Sequence, residues 1–119
     1  MIFNKEQAES ALAKWQKMLR LQDWDIKIDI CRGSDLKVIS NAEVHYVEES
    51  NMAVIKLLDP IDYSNSYFTQ DHEISIVHEL LHLHMAGFAA KNGTPEDIAQ
   101  EQAIHALSAA FVELERLSE

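Results

Sequence analysis

The sequence predicts an α+β domain: an N-terminal helix, a small mixed sheet of about three or four strands, a second helix and a C-terminal closing helix. Three observations carry this. Apolar residues recur at helical spacing over residues 4–21, alternate with polar ones around residues 24–30, 42–46 and 53–57, and return to helical spacing over 71–85 and 94–117. The 119 residues are 47% hydrophobic with only 3 Gly and 2 Pro, which suits one domain spanning 1–119 with a true core and leaves no room for a second. No repeat, linker or low-complexity segment interrupts it.

The elements follow in order. Asn4 with Gln7 reads as a capping box opening a helix to about Leu21, with Ala8, Ala11, Leu12, Trp15, Met18 and Leu19 as its apolar stripe, expected to pack on the sheet. Trp24, Ile26, Ile28 and Ile30 alternate with Asp25, Lys27 and Asp29, the pattern of a half-buried strand, and Arg32-Gly33-Ser34-Asp35 turns the chain. Ala42, Val44 and Tyr46 alternate with Glu43 and His45 in a second strand. After the polar turn Glu48 to Asn51, Ala53, Ile55 and Leu57 mark a third, which Asp59-Pro60 ends. A polar loop over 59–70 leads to a helix from about Asp71 to Met85, with Gly87 placed to stop it. Thr94 as N-cap, Pro95 at the first helical position and Asp97 three residues after the cap open the last helix, which runs to about Leu117.

His78-Glu79-Leu80-Leu81-His82 is the stretch whose residue types imply a chemistry. On a helix, residues four apart share a face about one turn apart, so both imidazoles can reach one metal ion. Glu79 then borders the metal, placed as a general base to take a proton from a zinc-bound water that can attack a carbonyl. At 100° per residue, His72, Ser75, His78, Glu79 and His82 share one polar arc, while Ile74, Ile76, Val77, Leu80, Leu81, Leu83 and Met85 cover most of the rest. A helix apolar over most of its circumference is a central one, and its buried His and Glu call for a metal or hydrogen bonds. His84 points away from that arc and is expected to pack or face solvent, and His72 reads as a solvated first-turn residue.

A catalytic zinc usually has three protein ligands plus water. A third His in the HExxHxxGxxH pattern would fall on Phe88 and its glycine on Met85, so that pattern is excluded. Glu101, nineteen residues after His82, shares a stripe of the last helix with Ile98, His105, Ser108, Ala109 and Val112, and a carboxylate on such a stripe needs a partner. Glu101 is therefore the favoured third ligand. His105, Glu96 and Asp97 are its competitors, although capping and the helix dipole already account for the last two. His105 is also placed to hydrogen-bond Glu101 from one turn on.

With His78, Glu79, His82 and Glu101 in this order, the chain resembles the gluzincins, and at this size the minimal single-domain members of that metallopeptidase group. The resemblance covers the whole chain in layout, which is that of the zincin N-terminal subdomain, but in residues it rests on those four. It implies zinc held by His78, His82 and Glu101, Glu79 as general base, and a peptide or protein substrate laid along an edge strand by β-augmentation. Larger gluzincins stabilise the oxyanion with a Tyr or His from a further domain, a part for which Tyr46, His45, Tyr63, Tyr67 or His105 would have to substitute here. The run His78 to Phe88 also loosely resembles the HGxLHLxGxDH signature of zinc-dependent rRNA-maturation endoribonucleases, with Glu79 for its Gly and Phe88 for its third His. A zincin-fold domain that keeps its metal but acts as a weak or inactive binding module is the other alternative.

Charge and cysteine content narrow the classes. Residues 1–40 hold 7 Lys+Arg against 6 Asp+Glu, whereas 41–119 hold 3 against 14, so the catalytic part carries the excess. That field repels a polyanion such as RNA and tolerates a cationic or neutral peptide, which argues against nucleic acid as partner. No apolar run approaches the roughly 20 residues of a membrane span, and the polar start lacks the apolar stretch of a signal peptide, so a cytoplasmic protein is expected. Cys31, being alone, reads as a structural thiol.

Overall fold

The computed structural model describes residues 1–37, 40–65 and 67–119. Helix α1 (Lys5–Met18) opens with the expected capping box: the Asn4 side chain accepts from the Gln7 backbone N–H and the Gln7 side chain from that of Asn4. It ends earlier than periodicity suggests, because Arg20 takes the left-handed conformation (φ 63°). Arg20 N–H then bonds back to Lys17 O and Leu21 N–H to Gln16 O, the paired bonds of a Schellman turn that buries Leu21. Ala8, Ala11, Leu12 and Trp15 are buried as expected, but Met18, at the frayed end of the stripe, is 47% exposed.

Strands β1 (Asp25–Cys31), β2 (Ala42–Val47) and β3 (Met52–Leu58) form one mixed sheet in the order β1-β3-β2. The most apolar strand is central: β1 runs parallel to β3 with Ile28 beside Ile55, and β2 antiparallel with Val44 opposite Ile55. The β2–β3 hairpin closes through a short 3₁₀ turn (Glu48–Ser50) and Asn51 at φ 52°, a left-handed position that Asn tolerates better than most residues. Asp59 caps the 3₁₀ turn Pro60–Asp62 that follows β3.

Helix α2 (His72–His84) is the centre of the molecule, packed against α1, α3, β2 and β3. Its N-cap Asp71 accepts from the backbone N–H groups of Glu73 and Ile74. Gly87 does not stop it; the helix tightens at Met85 into the 3₁₀ turn Ala86–Phe88, whose glycine has no left-handed φ. Gly93 (φ 81°) does supply such a position just before α3 (Pro95–Leu117), which starts on Thr94 as read from the sequence. Trp15, Ile55, Leu57, Ile76, Leu80 and Ile104 are the largest apolar side chains fully buried where these elements meet.

His72 departs from expectation: it is completely buried. Its Nδ1 accepts from the Phe3 N–H at 3.0 Å, its Nε2 donates to Leu58 O at 2.9 Å, and its own N–H bonds Met1 O. It ties the N-terminal segment, the end of β3 and the start of α2 together, so it is neither solvated nor a ligand. Below it, Glu73 accepts from Trp15 Nε1 and Arg116 while Lys14 pairs with it, a buried knot joining all three helices. No helix among the described residues is long and apolar enough to cross a membrane.

Candidate metal centre

The two HExxH histidines project from one face of α2, with ring centroids 5.2 Å apart. Packing of α3 on α2 brings Glu101 against them: Glu101 Oε1 lies 2.6 Å from His78 Nε2, and Oε2 3.1 Å from His82 Nε2. One ligand atom from each residue falls within 4.8 Å of the others, and among the described residues this is the one group of three or more such side chains that converges so closely. Ligand atoms about a tetrahedral zinc with bonds of about 2.0–2.1 Å sit about 3.3 Å apart, a spacing comparable with that of these three groups. Two imidazoles and one carboxylate also leave the fourth place that catalytic zinc sites keep for water. The donor set fits the metal.

Burial tunes the neighbours. His78 is held below its ordinary pKa by burial, against the pull of Glu101, which favours the neutral imidazole a metal needs. Glu79 is 7% exposed and no hydrogen bond reaches its carboxylate among the described residues. Burial, with Glu101 and Glu43 nearby, pushes its pKa up to about 8.

The centre opens on a cleft of about 850 Å³ between α2, α3, β2 and the loop after β3. The candidates from sequence divide there. Tyr46, Tyr63 and His105 line the cleft, whereas His45 and Tyr67 do not. His105 sits edge-on to His78, centroids 6.1 Å apart, and makes no hydrogen bond to Glu101. His45 bonds Glu43 instead. Glu96 and Asp97 stay at the start of α3; the Asp97 backbone N–H bonds Thr94 Oγ1 and its carboxylate accepts from the Gly93 N–H, as capping requires. His84 is exposed and donates to Leu19 O at the end of α1, on the far side of α2.

Alternation alone did not single out Glu43, which reads as a solvent-facing residue of β2. It is buried at the cleft rim, accepting from the Lys37 N–H at 2.6 Å. Nothing local signals this, because the segment that covers it is loop. Cys31 is partly buried, and burial with nearby Asp29 raises its thiol pKa, in keeping with an unreactive thiol. The chain matches no known family model, no curated protein and no solved structure.

Proposed function

We propose that this chain is a zinc-dependent metallohydrolase of zincin-like fold and gluzincin type, acting on peptide or protein substrates. One observation carries the reading: Glu101, on a different helix, meets the Nε2 atoms of His78 and His82 at 2.6 and 3.1 Å beside the buried Glu79. A zinc ion bound by those three residues would supply Lewis acidity, acidifying a water and polarising a carbonyl. Glu79 would accept a proton from an attacking water and return it to the leaving group. The antiparallel edge strand β2 lines the cleft, so its outer backbone groups suit an extended peptide. Tyr46 suits the oxyanion best, since no hydrogen bond engages its hydroxyl among the described residues while that of Tyr63 is bound to Phe68 O. His105 is its competitor on α3.

Metal analysis and Glu79→Gln test the reading together. About one zinc per chain is expected in both proteins, with hydrolysis of a peptide library reduced at least ~100-fold in the variant. A protein that takes up no zinc at neutral pH removes the basis of the proposal. One that holds zinc yet cleaves nothing is instead a metal-holding interaction module.

A further inference from the structure

We propose that the outer face of α3 is a two-fold interface on which a second copy of this chain docks, with the two α3 helices parallel. This face is turned away from the metal centre, and the proposal stands apart from the metallohydrolase reading.

Helix α3 carries two apolar stripes, and only one faces the core. Ile104, Ser108 and Val112 are buried against the rest of the molecule. On a separate, outer face Ala103, Leu107, Ala110, Leu114 and Leu117 recur at alternating steps of four and three, and all are exposed, Leu114 by 62% and Leu117 by 77%. A surface helix ordinarily shows one apolar stripe, toward the core; a second one facing solvent calls for a partner. The alternating step is that of a coiled-coil seam, with Leu107 and Leu114 at one position of the heptad and Ala103, Ala110 and Leu117 at the other. Gln100, next in the repeat, is held by the Ala90 N–H and Phe88 O instead, so the seam starts at Ala103.

Charge selects the occupant and its direction. One edge of the seam adjoins the end of α1, where Met18 and Leu19 with Phe111 and Leu114 line a groove of about 410 Å³ and Lys14 reaches Glu115 at 3.1 Å. Lys17, one turn past Lys14, is exposed on that side, and Glu113 is exposed on the other edge; neither has an ion-pair partner among the described residues. A two-fold axis along α3 brings opposite edges together, so Glu113 of each copy faces Lys17 of the other while the seam residues meet their own counterparts. An antiparallel pair would set the glutamate edges against each other. A chain of net charge −10 repels its own kind over most of its surface, and here its signs are mixed and self-complementary. Glu101 and His105 lie on the cleft side of α3, so the metal centre stays open in the dimer.

The seam from Ala103 to Leu117 is about 21 Å long, so association in the micromolar range is expected. Sedimentation equilibrium of the full chain from about 10 μM to about 1 mM should show monomer and dimer in exchange. Leu114→Glu should weaken the dimer at least ~100-fold, since the charge enters the seam from both copies. Val54→Glu, at an exposed position on the sheet, should leave it unchanged. Lys17→Glu and Glu113→Lys should each weaken self-association ~10-fold, and mixing the two variants should restore a mixed dimer of about parental affinity, because both Lys17–Glu113 pairings are then again of opposite sign. In a Cys31→Ser background, oxidation of Leu117→Cys should give a disulfide-linked dimer, which requires the parallel arrangement. A chain that stays monomeric throughout leaves the stripe to a different protein and overturns the proposal. A dimer indifferent to Leu114→Glu, a mixture no tighter than its separate variants, or a dimer that forms no Leu117→Cys link overturns it as well.

Discussion

Glu79 is a carboxyl group held largely away from water, 7% exposed. Its pKa in the folded, metal-free protein is about 8 against an ordinary 4.5, so between those values the native state holds a proton that the unfolded chain has lost. Stability of the metal-free protein should therefore fall as pH rises from about 5 to 8. Glu79→Gln removes that fall. Thermal melts in chelator should show the variant melting above the parent at pH 8, with the gap closing toward pH 5. Glu101 makes a different claim: as the proposed ligand on α3, its replacement by alanine should weaken zinc binding ~10-fold or more. Glu96→Ala and Asp97→Ala should leave affinity unchanged and cost only about 1 kcal/mol or less at the helix start, where they cap or face solvent. Competition with a chelator across the three variants measures this, and a loss confined to His105→Ala would move the third ligand there.

Helix ends hold the elements in register. Arg116, near the end of α3, reaches Asp71 and Glu73 at the start of α2 at 3.0 to 3.2 Å. Burial alone would raise both carboxyl groups. Hydrogen bonds from Arg116 and the Ile74 N–H to Asp71, and from Trp15 and Arg116 to Glu73, hold them below the ordinary carboxylate range instead. Arg116→Ala should cost about 1–3 kcal/mol, less than a fully buried pair because Arg116 is 34% exposed. For depressed carboxylates the benefit is complete above their unfolded values of about 4 and disappears as pH falls through the folded ones. Urea melts of parent and variant should thus differ at pH 7 and converge in acid. At the other end, Arg20 takes a left-handed conformation that costs a side-chain-bearing residue about 1–2 kcal/mol. Arg20→Gly should raise stability by about 0.5–1 kcal/mol in the same measurement, with its Schellman hydrogen bonds intact.

The whole molecule is organised around α2, with α1 and α3 packed on it and the sheet against it. A metal held by His78 and His82 on α2 and Glu101 on α3 would join the two helices, so that binding energy would become folding energy. Zinc should raise the melting temperature of the parent protein by several degrees when present at about a hundredfold over its Kd, and at the same zinc concentration the rise in Glu101→Ala should shrink to about half or less. Calorimetry with and without chelator checks it. An equal rise in both proteins would mean that the ion does not bridge the helices.

Periodicity and capping chemistry were enough to read the α+β class, the three strand segments, the Asn4 and Thr94 helix starts, and the shared helix face of His78 and His82, because each depends on residues within about one or two turns of one another. The meeting of Glu101 with the two histidines was legible too, as a carboxylate on a stripe that called for a partner. What lay beyond sequence depends on contacts between distant segments. The parallel pairing of β1 with β3, the burial of His72 by Phe3 and Leu58, and the covering of Glu43 by the Lys37 backbone leave no trace in local pattern. The choice of Tyr46, Tyr63 and His105 over His45 and Tyr67 as cleft residues belongs with them, since only the packing of α3 and the loop after β3 against β2 decides which side chains share one space. A helix or strand repeat specifies which face of an element is apolar; which other element covers that face is settled by the tertiary fold.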